Sequence, residues 1–483
     1  MTKPKIAIIG GGISGLSCAH RLIELQRENQ SDLEVHLFEG SSRLGGTIET
    51  EKRDGFILEK GPDSFLSEKP WGVNLSKRLG IESEIIGTRN EFRKSFVVRK
   101  GKLHELPEGF YLIAPTRIGS FFASPLFSWL GKVRTCAEWV VPKRENSKDE
   151  SISSFIKRRF GHEVLERVGQ AMLAGIYSGD PDRLSLEATM PRFRELEKKY
   201  GSVIRGLFME AEKRKEIGKA SGPRYSLFLS FREGMEMLIV KLKETLSGDS
   251  IHLNSQIDQI TYDFQNRSWR LTVKDGHIYE VNFICLALPV RQVSQLFSGF
   301  DGPLSQMLAG IPYESVATIN FAFKRTDITH PLDGFGFVVP AIEKSSLIAC
   351  SFNSVKFDHR APKNFVLLRA FVGGAFGKRF FAMDDADLTK CVLQDLSSYL
   401  GIQGKPLFTT LSRYENAMVQ YEVGHRELVS QIEERVKRFK GLFLTGSSYR
   451  GAGIPDCIFD AERSAEEIYQ ELSSMRAMVG SEW

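Results

Sequence analysis

Gly10, Gly12 and Gly15 stand at G-x-G-x-x-G spacing, within the run Gly10-Gly11-Gly12-Ile13-Ser14-Gly15. A backbone without side chains lets a pyrophosphate come close, and a helix starting here turns free N–H groups and its dipole toward that anion. Glu39 stands where a ribose diol needs an acceptor, and its charge would repel a 2′-phosphate. The chemistry is therefore dinucleotide binding, with NADP disfavoured. The elements that must position these residues lie on either side. Lys5-Ile6-Ala7-Ile8-Ile9 is short, apolar and β-branched, as a buried parallel strand requires. Leu16, Ala19 and Ile23 share one face of the helix expected next. A second strand, Leu33 to Phe38, delivers Glu39. Strand, glycine turn, helix, strand and acid form a mononucleotide-binding unit in its usual order.

Three further segments turn the dinucleotide into FAD. The first is Glu39-Gly40-Ser41-Ser42-Arg43-Leu44-Gly45-Gly46-Thr47, the E-x-x-x-R-x-G-G run of amine-oxidase-superfamily flavoproteins. An arginine can neutralise pyrophosphate charge, and a Gly-Gly pair brings backbone N–H groups near the flavin side. The second is Gly61-Pro62-Asp63-Ser64, which closes the strand from Gly55 as a low-profile bend suited to pass beneath a flat ring. The third lies near the end. Gly441 to Gly446 reads as a strand running into glycine, followed by Ser447 and by Gly451-Ala452-Gly453-Ile454-Pro455. A helix follows with Ile458, Ala461, Ala465, Ile468 and Leu472 on one face. That second helix N-terminus would face the flavin's pyrimidine edge, where negative charge builds on reduction. Ile257, on a returning strand, takes the place where such a backbone meets adenine in two-domain flavoproteins. Cys457 invites a covalent flavin link, but a small buried residue opening the last helix is the favoured reading, so FAD is expected to be non-covalent.

Composition bounds the rest. A chain of 483 residues exceeds one ordinary core, so two or three domains are expected. Its net charge of +5 suits anionic substrates or an anionic lipid surface more than basic partners. The basic residues are interleaved with acids and no nucleic-acid-binding signature appears, so nucleic acid is not an expected partner. The six cysteines show no C-x-x-C spacing and the histidines no H-x-x-x-H pair, which argues for free thiols and against a metal site. The fold begins within a few residues of Met1 and no apolar run reaches spanning length. A cytoplasmic protein is expected, with membrane contact left open.

Between the cofactor segments the patterning changes. Ser95 to Val98 and Leu103 to Leu106 flank a charged glycine turn and predict a hairpin. From Phe110 to Pro142, Phe121, Phe122, Leu126, Phe127, Trp129, Leu130, Trp139, Val140 and Val141 are set among Lys132, Arg134 and Lys143, and Pro115 and Pro125 cut the stretch into short helices. Such a pattern suits a membrane interface, the core of a helical subdomain, or a face covered by a partner subunit. Helix is predicted from Ser153 to Tyr177 and again from Leu196 to Lys219, where charges such as Glu197, Lys198 and Glu210 are read mostly as a solvated face. Gln256 to Tyr262, Trp269 to Val273 and Glu280 to Leu288 are read as strands returning to the nucleotide sheet. Thr318 to Phe323, Phe335 to Val339, Leu347 to Phe352 and Phe365 to Val372 predict an antiparallel sheet flooring a substrate domain.

These residues together resemble the oxygen-dependent protoporphyrinogen/coproporphyrinogen oxidases of haem biosynthesis, within the amine-oxidase superfamily. Besides the FAD segments, the resemblance rests on Leu103-His104-Glu105-Leu106-Pro107, Ala174-Gly175-Ile176-Tyr177-Ser178-Gly179-Asp180-Pro181, Ser230-Phe231-Arg232-Glu233-Gly234-Met235, Phe335-Gly336-Phe337-Val338-Val339-Pro340, Val372-Gly373-Gly374 and Tyr449-Arg450-Gly451-Ala452-Gly453-Ile454-Pro455-Asp456-Cys457-Ile458. It implies an α/β protein: an FAD-binding Rossmann-like domain of the GR2/p-hydroxybenzoate-hydroxylase type, an α+β substrate domain and a helical membrane-associating insert. The expected division is 1–90, 229–298 and 436–483 for FAD, 91–107 and 299–435 for substrate, and 108–228 for the insert. The resemblance also implies a porphyrinogen held between apolar side chains, with Gly175, Val338 and Phe371 lining the pocket and Ile348 a further candidate. Where relatives place an arginine for a substrate propionate, this chain has Ser95 beside Arg93 and Lys94, so Lys94 is the candidate partner.

The implied reaction withdraws six electrons from the porphyrinogen bridges and passes them to O2, giving hydrogen peroxide. Pyrrole nitrogens can lose protons by tautomerisation, so no catalytic acid or base is assigned. Protoporphyrinogen IX and coproporphyrinogen III both remain candidates. Further partners left open are a second copy of the chain and a downstream haem-pathway enzyme that takes the product. The rival functions are another amine oxidase or desaturase of the superfamily, and a non-catalytic flavin-binding or haem-chaperoning scaffold.

Overall fold

In the computed structural model, which describes residues 3–145, 148–217, 226–266 and 268–480, five parallel strands form the cofactor sheet. Their order is Ile251–His252, Glu34–Phe38, Lys5–Ile9, Phe283–Leu286 and Leu442–Leu444. The central strand is apolar because both its faces are covered: Ile6, Ala7 and Ile8 expose nothing. Helix Ile13–Glu28 packs Leu16, Ala19 and Leu22 against one face, together with Ile458, Ala461 and Ala465 of the last helix, Ile454–Gly480.

The predicted run from Glu280 to Leu288 is two strands. Ile278–Val281 pairs with Ser268–Val273 and, through it, Ile257–Asp263 in a separate three-stranded antiparallel sheet, and Phe283–Leu286 joins the cofactor sheet. An apolar run carries no mark of the break, because both strands bury their side chains.

The substrate sheet has seven strands in the order Phe408–Val419, Tyr313–Lys324, Phe365–Gly373, Ala349–Ser351, Gly336–Val338, Phe96–Arg99 and Lys102–Glu105. It is antiparallel except where Gly336–Val338 meets the hairpin strand Phe96–Arg99. One face packs Phe337, Val339, Cys350, Ala370 and Val372 into a core of its own. The opposite face turns toward the cofactor half.

The insert is helical but more broken than its pattern predicts. The first expected helix is Ile152–Arg159, a stop at left-handed Gly161, then a short π-helical turn leading into Gln170–Tyr177. The second is Pro191–Tyr200 and Val203–Ile217, parted at Gly201, and residues 218–219 of the predicted helix lie outside the described residues. Phe121, Leu126 and Phe127 are buried in the insert's core, so the subdomain-core reading holds for them. Trp129, Leu130, Trp139 and Val140 remain on the surface. Glu197 does not belong to a solvated face: it is buried and pairs with Arg158 at 2.5 Å. Beside it, fully buried Arg159 donates to the equally buried Glu138 at 2.8 Å, which also accepts from Val203 N at 2.8 Å. Burying these charges without partners would cost several kcal/mol each, so the pairing fixes how three insert segments meet.

Candidate active site

Gly10 sits at φ 110°, and a Cβ on Gly15 would stand 1.9 Å from Gly10 O. The turn and the helix behind it therefore touch backbone to backbone, which glycine alone allows. At Gly12 the geometry reverses, because an added Cβ would meet nothing within 4 Å. Gly12 caps helix Ile13–Glu28 with no side chain bonded to its first N–H groups and no acid in the first turn. An uncapped helix start facing open space fits a pyrophosphate.

Around this start the separate glycine segments converge. Gly45 N donates to Gly11 O at 2.8 Å, and a Cβ on Gly46 would lie 3.5 Å from Gly12 Cα. A Cβ on Gly446 would lie 3.8 Å from Ser14 Oγ, and Ser14 stands beside the Cys457 thiol. Gly453 O accepts from Cys457 N at 2.9 Å, which opens the last helix with Ala452 and Gly453 exposed and Ile454 buried. Tyr421 donates to Ser447 O and holds the preceding loop.

Glu39 bridges the two halves of the cradle. Its carboxylate accepts from Gly11 N at 2.7 Å and from Ser41 N at 2.8 Å. Its backbone pairs with His252 and Ser255, and Gly40 approaches Gln256, which brings the start of strand Ile257–Asp263 beside it. Arg43 differs from expectation. Its guanidinium donates to Leu44 O and Ile48 O, both at 3.1 Å, and to Gly46 O, and it pairs with Glu49. Four such partners on its own loop make Arg43 a brace that shapes Gly45-Gly46-Thr47. Burial pushes the Cys457 thiol up to about 12, which works against the thiolate form.

The Gly61-Pro62 bend packs against Thr47, where a Cβ on Gly61 would stand 1.7 Å from Thr47 O. Asp63 faces away into a buried cluster: Lys356 lies 3.3 Å and Arg369 3.8 Å from its carboxylate, and Ser64 donates to it at 2.7 Å. Although burial works against it, those cations hold the Asp63 carboxyl well below the usual range. Glu59, fully buried, accepts from Met235 N and Thr50 Oγ1, both at 2.8 Å, and burial pushes it up to about 7 against the pull of Arg360 and Arg369. Sequence reasoning did not single out Glu59, Lys356, Arg360 or Arg369. The available signal was a lone charge inside an apolar strand, as in Leu367-Leu368-Arg369-Ala370.

On the same side lies a partly apolar sheet face. Val338, Ala349, Phe371 and Thr318 are partners in register across four adjacent strands, so their side chains share one sheet face. Val338 and Phe371 remain partly exposed, and Gly175, on helix Gln170–Tyr177, faces Val338 Cγ1 at 3.8 Å from where its Cβ would be. Ile348 donates its N–H to Phe371 O and accepts from Val339 N, both at 2.9 Å. Gln170 ties the helix to this rim by accepting from Ala341 N at 2.8 Å. Lys94 stands in another environment: its exposed ammonium lies 3.3 Å from Asp333 and 3.4 Å from Glu105, which raise its pKa. A propionate there would have to displace two carboxylates.

Two glycine turns beside a parallel sheet, one of them an uncapped helix start, with an apolar face on an antiparallel sheet, fit a flavin oxidoreductase. The chain matches the flavin containing amine oxidoreductase family over residues 13–469, and it belongs to that family. It is 34% identical over 477 residues to the coproporphyrinogen III oxidase of Staphylococcus aureus (strain NCTC 8325 / PS 47), covering 98% of this chain and 100% of the relative. It is 31% identical over 478 residues to the coproporphyrinogen III oxidase of Bacillus subtilis (strain 168), covering 98% and 99%. A crystal structure of a provisionally assigned protoporphyrinogen oxidase from Exiguobacterium sp. 255-15 matches with a TM-score of 0.85 at 30% identity, covering 98% of this chain and 100% of that one. The cofactor is FAD.

Proposed function

We propose that this chain is a porphyrinogen oxidase whose preferred substrate is coproporphyrinogen III. The observation that carries the porphyrinogen reading is the apolar wall of Val338 and Phe371, set opposite Gly175 and beside the Gly61-Pro62 bend. The preference for the four-propionate substrate rests on the two coproporphyrinogen III oxidases that match this chain end to end. FAD supplies the hydride acceptor and the route to O2, which leaves as hydrogen peroxide. The chain's own residues bind and orient. Val338 and Phe371 exclude water from the macrocycle's face, and the absent side chain at Gly175 leaves room for its thickness. The first and last helix N-termini favour negative charge on the cofactor. Proton loss is left to the substrate's pyrroles. We also propose that Lys94 meets a propionate, exchanging its contacts with Asp333 and Glu105 for the substrate's carboxylate.

The functional division we propose assigns 1–90, 229–298 and 436–483 to FAD, 91–107 and 299–435 to substrate, and 108–228 to the insert. We further infer that the insert meets a membrane surface peripherally. Trp129, Leu130 and Val140 are 68%, 80% and 81% exposed, with Lys143 exposed nearby. No helix among the described residues is long and apolar enough to cross a membrane. A second copy of the chain and the enzyme that consumes the porphyrin are rival occupants of that patch. All six cysteines are free, and on that ground we place the enzyme in the cytoplasm.

The test of function compares initial rates of oxygen uptake and peroxide release with coproporphyrinogen III and protoporphyrinogen IX. Faster turnover of coproporphyrinogen III is expected. The reverse order overturns the preference, and no uptake with either substrate overturns the function. Turnover of an amine instead would favour the amine-oxidase alternative.

A further inference from the structure

The cofactor bend and the substrate wall meet at one side chain. Arg369 lies on strand Phe365–Gly373, two positions before Phe371 and on the same face, and is 2% exposed. Its Nη2 donates to Gly61 O and, at 3.1 Å, to Lys60 O, and its Nη1 is 3.8 Å from Asp63 Oδ2. The same guanidinium stands with its carbon 4.9 Å from the centre of the Phe371 ring. The neighbouring strand adds two bonds to this loop, Thr318 Oγ1 to Lys60 O at 2.8 Å and Asn320 Nδ2 to Glu59 O at 3.1 Å. A buried cation is costly, and an apolar side chain would cover this face at lower cost. What an apolar side chain lacks is a planar fork with one arm on two adjacent carbonyls, the other toward Asp63, and a flat charged face against an aromatic ring.

We propose that Arg369 is a positioning residue for the oxidation: its fork sets the Gly61-Pro62 bend beneath the cofactor, and its face sets the Phe371 ring against the substrate, so a shift of either wall is transmitted to the other. The proposal rests on the FAD and porphyrinogen readings above and deepens them. A purely structural Arg369 would brace the loop without linking it to Phe371. The two roles separate in a cycle of Phe371→Leu, Arg369→Lys and the double variant, each purified, stripped of FAD and titrated with it. Arg369→Lys keeps the charge and loses the fork, so FAD affinity should fall about tenfold and the visible flavin band should shift. Phe371→Leu should weaken FAD about threefold although it alters only the substrate wall. The double variant should match Arg369→Lys alone rather than the product of the two losses. Porphyrinogen KM should follow the same non-multiplying pattern.

An unchanged FAD dissociation constant and flavin spectrum in Phe371→Leu overturns the proposal, as does a double variant whose losses multiply. If Arg369→Lys does not fold, FAD binding by Phe371→Leu decides alone. Should the wild type fail to oxidise porphyrinogen, the function is wrong, and the FAD cycle still decides the role of Arg369.

Discussion

Gly12 and Gly15 belong to one turn yet respond oppositely to an added side chain. A Cβ at Gly15 would strike Gly10 O, whereas Gly12, at φ −74° and ψ −177°, has open space and an extended backbone that suits a β-branched residue. Gly12→Val should therefore fold with a melting temperature within about 2 °C of the wild-type apoprotein, because no native contact is lost. Its FAD affinity should fall about a hundredfold, since the valine takes the pyrophosphate's place. The ratio of flavin to protein absorbance, with an FAD titration, checks this; a fully yellow variant would remove Gly12 from the phosphate site. At this scale much was legible. Glycines and Glu39 declare themselves by spacing, whereas the bracing role of Arg43 depends on where carbonyls of its own loop point, which spacing does not encode.

At the scale of elements, strand Phe56–Glu59 carries its last residue into the interior between the two halves of the molecule. Burial raises Glu59 from its ordinary 4.5 to about 7. Between those values the folded chain holds a proton that the unfolded chain has released, so stability falls as pH rises through the window and levels off above it. The loss is on the order of 3 kcal/mol. Asp63 has the opposite sign, but its contribution is lost only as pH falls below the ordinary carboxylate range, outside this window. Glu59→Gln keeps an acceptor for Met235 N and a partner for Thr50, and it should remove the slope. Urea denaturation at pH 5 and pH 8 measures it. Wild type should lose about 2–3 kcal/mol more than Glu59→Gln between those pH values; parallel losses would mean that Glu59 does not titrate there. Element types were mostly readable from period and turn residues, but the breaks at Gly161, Gly201 and Asn282 were not. Gly161 and Gly201 end helices locally at positive φ, whereas the break at Asn282 follows from its pairing with distant Lys5.

For the whole molecule, the exposed insert surface gives the remaining prediction. Trp129→Ser combined with Leu130→Glu removes two outward apolar groups without touching the core formed by Phe121, Leu126 and Phe127. The variant should keep its melting temperature and porphyrinogen turnover while losing co-flotation with anionic liposomes. Unchanged flotation would exclude this face as the contact, and a wild type that sediments as a dimer which the variant does not form would favour a second copy of the chain. Sequence left this stretch divided among membrane, core and partner because its apolar residues serve two purposes. Phe121 and its neighbours fill the insert, and Trp129, Leu130, Trp139 and Val140 do not.

By itself the sequence determined the cofactor half: glycine spacing, an acid after the second strand and a final amphipathic helix follow from local rules of backbone freedom and helix dipoles. The tertiary structure decided what surrounds it. Register across Gly336–Val338, Ala349–Ser351 and Phe365–Gly373 sets Val338 and Phe371 on one face, and the same pleat sends Arg369 into the loop at Gly61. Those juxtapositions join residues far apart in the chain, and they exist because a strand displays every second side chain to whichever segment folds against it.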